Sequence, residues 1–276
     1  GYSVPFDSRL IKNRNAIFSI KQKAQTTTEY YMRFESESSF KISLNLYTYV
    51  SLLETINREQ TALGLYYGII LLILISNLVF FYYSREKIYI IYILYIISYG
   101  FYQLGVNGMA NEYLPFNKLF PTNYNHAFFI GFVGWVIMYF TMDFFNTKIN
   151  MRYIDKYLKF LCLFCIILIP ASCLIQYFII MKFILAGIIL VSMSALSIGI
   201  YAFMKGIKAA RYYLIAWSLT LAGNIVHVLC VAGIFPGIFL ARESQQIGSA
   251  INMICLSLSI GDRMSIMKKE KKEAQN

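Results

Sequence analysis

Seven apolar runs fill most of the chain, and each approaches the ~20 residues that a helix needs to cross the hydrocarbon core of a bilayer. The runs cover residues 63–83, 88–106, 127–145, 158–178, 183–203, 212–235 and, with flanking residues, 247–260. The fourth and fifth runs are divided only by Gln176, Tyr177 and Lys182, but one helix over both would be about twice as long as a crossing requires. We interpret Pro170 as a kink, because a turn there would leave a run too short to span. The pattern predicts an all-α membrane protein with a seven-helix transmembrane bundle.

The amino-terminal part of the chain has a different pattern, which is typical of strands. Apolar and polar residues alternate over residues 30–35 and again over 40–47, on either side of a polar turn at 36–39. This alternation predicts an antiparallel hairpin with one buried face, and we expect a shorter strand near 16–20. Because an isolated hairpin buries too little apolar area to be stable, we interpret this part as the carboxy-terminal end of a larger extracellular β domain.

These patterns divide the chain into four parts. The extracellular β piece covers residues 1–50, a connecting helix 51–62, the seven-helix bundle 63–262, and the start of a cytoplasmic signalling helix 263–276. We expect the native chain to continue beyond both ends, because no export signal precedes the β piece and the charged helix is still in progress at Asn276.

The last apolar run continues into a charged tail without a helix-breaking residue. The helical pattern crosses Asp262 and Arg263, and neither Pro nor Gly follows. A helix that leaves the membrane without a break transmits movement as a rigid rod. In the tail, Ile260, Met264 and Met267 repeat at helical spacing, which indicates the start of a coiled coil and predicts a homodimer. The alternative is a solvated helical tail without a partner.

Composition and charge support a membrane protein. Of the 276 residues, 58% are hydrophobic and 14% charged, and the formal net charge is +11. Lys and Arg lie between and after the apolar runs, so we exclude a nucleic-acid partner and interpret the charge as a sign of topology. The basic loops contain Arg85, Lys87, Lys148, Arg152, Lys156, Lys159, Lys205, Lys208, Arg211 and Arg263. Placing them in the cytoplasm puts the amino terminus outside and the carboxy terminus inside.

Polar side chains within the apolar runs are the candidate functional residues, because a polar group in a bilayer is costly. The candidates for a ligand-binding or switching network are Asn77, Gln103, Asn224, His227, Gln245, Ser249 and Asn252. Two arrangements of hydrogen bonds among them would give a receptor two states. The alternative is that these groups only fix the packing of the helices.

The sequence carries no motif of an enzyme, a metal site or a cofactor site. His126 and His227 lie in separate runs without paired carboxylates, which makes a poor metal site. Cys162 and Cys165 form a C-x-x-C motif inside an apolar run, where we interpret them as small packing residues. We therefore expect a chain that is not an enzyme and binds no metal or cofactor.

Four short motifs occur in order along nearly the whole chain. They are Asn13-Arg14-Asn15, Gly64-Leu65-Tyr66-Tyr67-Gly68, Ala209-Ala210-Arg211-Tyr212-Tyr213, and Gln246-Ile247-Gly248-Ser249-Ala250 leading to Asp262-Arg263. Each motif is weak alone, but their order and spacing resemble the bacterial seven-transmembrane receptors with diverse intracellular signalling modules.

This resemblance implies a receptor of the bacterial inner membrane. In that family an extracellular jelly-roll domain, thought to bind carbohydrates or related small ligands, precedes the helices, and a cytoplasmic kinase, diguanylate cyclase, nucleotide cyclase or phosphatase follows them. We expect a sensor segment that transmits the signal of a small, carbohydrate-like ligand through helix movement to an output domain in the same native chain. The alternative function is a small-molecule transporter or channel, although the middle of the runs carries almost no charge.

Overall fold

Seven long helices make up most of the chain in the computed structural model, which describes residues 11, 13–23, 25–33, 44–110, 122–231, 234 and 243–275. The helices are α1 (Tyr49–Ser84), α2 (Lys87–Val106), α3 (Thr122–Phe145), α4 (Arg152–Leu174), α5 (Tyr177–Met204), α6 (Ala210–Val231) and α7 (Ser244–Gln275). A single helical turn, Thr147–Asn150, joins α3 to α4. The prediction of an all-α seven-helix bundle is confirmed.

Five of the helices are long and apolar enough to cross a membrane on length and composition alone. They are α1, α2, residues 128–145 of α3, residues 182–204 of α5 and residues 210–230 of α6. The other two belong to the same bundle, since α4 packs along α3 and α7 packs along α6. Large apolar side chains such as Leu72, Leu163 and Leu185 are exposed on the outside of the bundle, as lipid contact requires.

α4 and α5 are two separate helices, as predicted, but the boundary between them lies several residues before the predicted break between residues 178 and 183. α4 ends at Leu174 and α5 begins at Tyr177, so two helices replace what is almost one continuous apolar stretch. Pro170 lies inside α4, one turn before its end. The prediction that Pro170 does not form the turn is therefore confirmed.

The centre of the bundle lies between α2, α3, α6 and α7. Its largest fully buried side chains include Tyr92, Ile96, Ile137, Phe140, Tyr213, Met253 and Leu256. Towards the ends where α3 finishes and α6 begins, Phe144 stacks on Tyr213 with ring centroids 5.6 Å apart, and Phe145 meets the same ring edge-on at 4.9 Å. Because Met253 and Leu256 come from α7, the last helix is part of the core and not a peripheral addition.

The amino-terminal residues carry no strand in the parts that the structure describes. Residues 13–23, 25–33 and 44–48 form turns and irregular backbone, and Phe18, Tyr31 and Leu46 are exposed. The strand expected near 16–20 does not form, and neither do the described ends of the expected hairpin; residues 34–43 lie outside the described residues. The physical reason is that these alternating side chains have too little apolar surface to pack against, so strand formation would not offset its ordering entropy.

α1 connects the amino-terminal residues directly to the bundle. Its amino terminus is capped by Thr48, whose hydroxyl accepts a hydrogen bond from the Ser51 N–H at 3.3 Å, which satisfies one of the open donors of the first turn. From there α1 continues without interruption to Ser84. Residues 51–62 are thus the first turns of the first membrane helix.

Candidate functional site

α7 presents a polar face to α1 and α2 inside the bundle. The Ser249 hydroxyl lies 2.9 Å from the hydroxyl of Tyr66 in α1. One turn further along α7, Asn252 Oδ1 accepts a hydrogen bond from the hydroxyl of Tyr95 in α2 at 3.3 Å. Because residues three apart share one side of a helix, a single face of α7 is bonded to two different helices.

Two further contacts extend this face towards the charged tail. The hydroxyl of Tyr92 donates to the backbone carbonyl of Met253. Asn77, fully buried in α1, donates to the Ser257 hydroxyl at 3.0 Å and to the carbonyl of Ile73 at 2.8 Å. The Ser257 hydroxyl lies 3.3 Å from Asn77 Oδ1 and can donate to it. Asn77 therefore joins α1 to α7 through both ends of its amide.

A second group of contacts, which we call the outer polar cluster, joins the amino-terminal segment to three helices. It consists of Arg14, Glu59, Tyr67, Asn107 and Gln246. Arg14 forms an ion pair with Glu59 of α1 at 2.8 Å and donates to the Asn107 carbonyl at 3.4 Å. The Asn107 side chain donates to Tyr67 of α1 at 2.9 Å and accepts from Gln246, in the first turn of α7, at 2.9 Å.

The turn after α2 holds Asn107 in place for these bonds. The Asn107 N–H donates to the Gln103 carbonyl at 2.9 Å, and the Gly108 N–H to the Gly105 carbonyl at 3.0 Å. Gly108 has φ +72°, a conformation that side chains other than glycine rarely adopt. A Cβ atom on Gly108 would also lie 3.7 Å from the Cβ of Arg14. The turn and the amino-terminal segment are therefore in direct contact.

A cavity of about 120 Å³ lies between α2, α3, α4, α5 and α6, with Gln245 of α7 at its edge. Its aromatic wall is formed by Tyr95, Tyr99, Tyr102 and Trp217, and its polar side chains are Ser192, Thr220, Asn224 and Gln245. Gln103 is buried behind this wall and donates to the Tyr99 hydroxyl at 3.3 Å. The cavity is therefore mainly apolar, with a few hydrogen-bonding groups, as small-molecule sites commonly are.

At the other end of the bundle, α7 is fixed to the start of α6. Arg211 pairs with Asp262 at 3.3 Å, and the hydroxyl of Ser259 donates to the Ala209 carbonyl at 3.0 Å. Arg211 is exposed and Asp262 is half-buried, so solvent screens the ion pair in part and it contributes little by itself. Together the two contacts define where α7 leaves the bundle.

Arg263 is the first basic residue beyond this exit. Its guanidinium lies 5.6 Å from the centre of the Phe144 ring. Burial lowers the pKa of Arg263, and the nearby charges of Asp143 and Glu86 oppose this shift. The side chain is thus held against α3 at the exit of α7.

The apolar stripe of the tail packs inside the chain itself. Ile260 and Met264 are buried in the main core, and Met267 packs against it. These side chains were the basis for expecting a coiled-coil homodimer. Because they already have partners in the same chain, the homodimer stays a prediction without this support.

The structure places the seven predicted site residues in two regions and one separate position. Asn77, Ser249 and Asn252 join α7 to α1 and α2, whereas Gln103, Asn224 and Gln245 lie on or behind the cavity wall. His227 is half-buried on α6 and is not among the residues of the cavity wall. Asn224 and His227 are therefore one turn apart but do not share the cavity.

Sequence reasoning missed the tyrosines that complete these contacts. Tyrosine near the ends of apolar runs is typical of the membrane interface. We therefore interpreted these tyrosines as interfacial residues and did not predict their hydrogen bonds between helices. The signal that would have found them is the spacing of Tyr89, Tyr92, Tyr95, Tyr99 and Tyr102. Steps of three and four residues place all five side chains on one side of α2.

The described residues contain no group of three His, Cys, Asp or Glu side chains that could hold a metal ion. Cys162 and Cys165 are free thiols buried where α4 meets α3. A Cβ on Gly134 would come within 3.0 Å of the Cys165 sulfur. This close contact supports the interpretation of the C-x-x-C motif as a packing feature.

The fold and its apolar helices define a multi-pass helical membrane protein. A family model described as 7TM diverse intracellular signalling matches residues 59–263, and one described as 7TMR-DISM extracellular 2 matches residues 1–48. The chain belongs to this family of transmembrane sensors linked to intracellular signalling modules, and the resemblance read from the motifs is confirmed. The family's seven-helix domain is a receptor domain and not a catalytic one. Comparison with curated proteins and with solved structures gives no match.

Proposed function

We propose that this chain is the sensing and transmembrane part of a bacterial inner-membrane receptor, with its amino terminus outside the cell and its carboxy terminus in the cytoplasm. A small, carbohydrate-like ligand acts on the extracellular piece, residues 1–50. The connecting helix, 51–62, and the bundle, 63–262, pass the signal to the tail helix, 263–276. An output module of the kinase, cyclase, diguanylate cyclase or phosphatase type follows in the native chain.

The observation that carries this proposal is the continuity of α7. The helix has 32 residues and is about 48 Å long at 1.5 Å per residue. Gln246 in its first turn contacts Asn107 of the outer polar cluster. Asp262 pairs with Arg211 of α6, and α7 continues beyond that contact to Gln275. A displacement of the first turn therefore reaches the charged tail through one uninterrupted helix.

The outer polar cluster supplies the input to α7. Arg14 belongs to the segment before α1, and it contacts both Glu59 and the Asn107 carbonyl. Asn107 in turn holds Gln246. Movement of the amino-terminal segment would thus change the position of Asn107, and with it the position of the first turn of α7.

The bonds between α7 and its neighbours suit a switch because each is weak. Side-chain hydrogen bonds between membrane helices contribute about 0.6 kcal/mol on average. The contacts of Ser249 with Tyr66 and of Asn252 with Tyr95 join neutral groups of this kind. Coupling free energies of about 1–3 kcal/mol are usual for ligand-driven changes, so ligand binding can exchange these partners.

The test is to change the helical phase of the tail in the full-length receptor. One alanine inserted after Met267 rotates everything beyond it by about 100°, whereas four alanines return it to within about 40° of its original phase. We expect the single insertion to change the basal output severalfold and the fourfold insertion to restore most of it. Lys268→Ala is the matched control, because it introduces an alanine without a phase change.

Equal output from the single and the fourfold insertion would contradict transmission through a rigid α7. Intact mass of the native polypeptide provides a separate check on the output module. A native chain that ends at residue 276 would contradict a covalently attached module.

A further inference from the structure

The cavity between α2 and α6 has room for one small ring. Its volume is about 120 Å³. For comparison, an apolar protein cavity of roughly 150 Å³ binds benzene. The cavity therefore suits a molecule of about one six-membered ring.

The chemistry of the wall favours an uncharged occupant. The lining residues that the structure describes carry aromatic, aliphatic, hydroxyl, thiol and amide side chains, and none of these described residues is Asp, Glu, Lys, Arg or His. A charged molecule would leave water without gaining a counter-charge, which is costly inside a bilayer. The ligand class that the wall recognises is thus neutral.

Hydrogen-bond donors belong to this wall. Asn224 and Gln245 carry side-chain amides that line the cavity. In a wall that is otherwise mainly apolar, an occupant with an acceptor atom gains a hydrogen bond that an apolar occupant lacks.

We propose that the cavity binds a neutral molecule of one six-membered ring that carries a hydrogen-bond acceptor, and that the acceptor pairs with a side-chain amide N–H of Asn224 or Gln245. Gln245 and Asn224 place the occupant beside the first turns of α7 and the end of α6. In its consequence for signalling this inference rests on the proposed function, because the occupant would bias the position of α7.

The experiment uses the intrinsic fluorescence of the cavity wall. The chain contains two tryptophans, Trp135 and Trp217, so Trp135→Phe leaves Trp217 as the single reporter. This variant, in lipid nanodiscs, is titrated with cyclohexanone, a neutral ring whose carbonyl quenches indole fluorescence on contact. We expect the quenching of Trp217 fluorescence to reach a plateau as the cyclohexanone concentration rises.

Competitors of matched size test the chemistry of the site. Methylcyclohexane has the same ring without an acceptor, and it should displace cyclohexanone about fivefold to tenfold less effectively, the effect of one neutral hydrogen bond. Cyclohexylammonium carries a charge and should not compete. Equal competition by all three molecules would overturn the assignment of the acceptor and of the neutral class.

Variants test the location. Ser192→Leu fills the cavity from α5, and Thr220→Leu fills it from α6. If one variant does not fold, the other still tests the site. Ser218→Leu is the matched control, because Ser218 is exposed on the outside of α6. Loss of saturable quenching in the two filled variants and its retention in the control supports the site. Non-saturating quenching, or the same quenching in all three, overturns it.

The binding measurement is independent of the signalling test. It measures fluorescence quenching in the purified chain and requires no output module. Absence of saturable quenching would contradict the ligand site but not transmission through α7. Equal output from the single and the fourfold alanine insertion would contradict transmission through α7 but not ligand binding.

Discussion

Tyrosine hydroxyls, paired with serine and amide groups, hold α7 against α1 and α2. Tyr66 and Tyr95 contact Ser249 and Asn252 through such bonds. Both tyrosines are buried, so their rings contribute to the core while their hydroxyls form hydrogen bonds with polar side chains of α7. A polar group that is both packed and bonded fixes one arrangement of the helices more sharply than an apolar contact does.

The contact between Tyr66 and Ser249 gives a prediction at this scale. In a double-mutant cycle, Tyr66→Phe and Ser249→Ala should show a coupling free energy of about 0.6 kcal/mol, with an upper bound of about 1.7 kcal/mol. The reason is that the 2.9 Å hydroxyl pair is lost in either single variant, and the second change then removes nothing more. Reversible unfolding in mixed micelles measures the four free energies of unfolding.

The control cycle pairs Ser249→Ala with Tyr83→Phe. Tyr83 is 80% exposed on the same helix, so its loss of a hydroxyl should be independent of Ser249. Coupling of the same size in both cycles would show that the hydroxyl contact does not hold α7 to α1.

Among individual residues, those that sequence reasoning found are the ones whose burial is costly whatever surrounds them. Asn77, Ser249 and Asn252 are polar groups inside apolar runs, and their partners lie on other helices. Tyr66 and Tyr95 were not predicted, because tyrosine is also common at a membrane interface and its presence alone does not indicate a buried hydrogen bond. Which hydroxyl meets which amide depends on how the helices pack, and a single sequence does not contain that information.

At the scale of whole helices, α6 and α7 approach through backbone contacts. A Cβ on Gly223 of α6 would lie 2.6 Å from the Ser244 carbonyl oxygen and 3.4 Å from the Cα of Gly248 in α7. A Cβ on Gly248 would lie 3.1 Å from the Leu219 carbonyl oxygen. Glycines that let backbones approach closely are a common way to pack helices in membranes.

This contact predicts the effect of one methyl group. Gly223→Ala should destabilise the bundle by about 1–3 kcal/mol, the usual cost of forcing extra atoms into a packed interface. The carbonyl of Ser244 belongs to the backbone and cannot rotate away as a side chain would. Thermal unfolding of the purified chain in nanodiscs measures the change.

Gly68→Ala is the matched control for this substitution. It makes the same change in another membrane helix, where no atom lies within 4 Å of the added Cβ. It should be neutral or stabilise α1 by up to about 1 kcal/mol. Equal stability of the Gly223→Ala and Gly68→Ala variants would contradict a tight contact between α6 and α7.

The helices themselves were predictable to a degree that the strands were not. A membrane helix satisfies its backbone groups within one segment, so local hydrophobicity is enough to place it. The division of residues 158–203 into two helices was found this way, with the length of the combined run as the deciding quantity, although the second helix begins at Tyr177 and not at the predicted Phe183. A strand near 16–20 needs a neighbouring strand and an apolar surface, and the alternation of residues by itself provides neither.

At the scale of the whole molecule, positive charge and aromatic rings mark one end of the bundle. At that end, cations lie over tyrosine rings: Arg85 is 5.0 Å from Tyr82, Lys205 is 5.0 Å from Tyr201, and Arg211 is 4.7 Å from Tyr212. The turn before α2, the turn between α5 and α6, and the exit of α7 all lie there. Excess Lys and Arg in short loops is a property of the cytoplasmic side, so this end should face the cytoplasm and the amino-terminal segment should face outwards.

Cysteine labelling in cells tests this orientation. Lys23→Cys replaces an exposed lysine of the amino-terminal segment, and Lys208→Cys replaces an exposed lysine in the turn before α6. Both are made in a protein whose five native cysteines are replaced by alanine. With a maleimide that does not cross membranes, the cysteine at position 23 should react in intact spheroplasts. The cysteine at position 208 should react only after permeabilisation, because the basic turn that contains it is retained on the side of synthesis. Labelling of position 208 in intact spheroplasts would reverse the topology, and a tail helix outside the cell would have no cytoplasmic module to move.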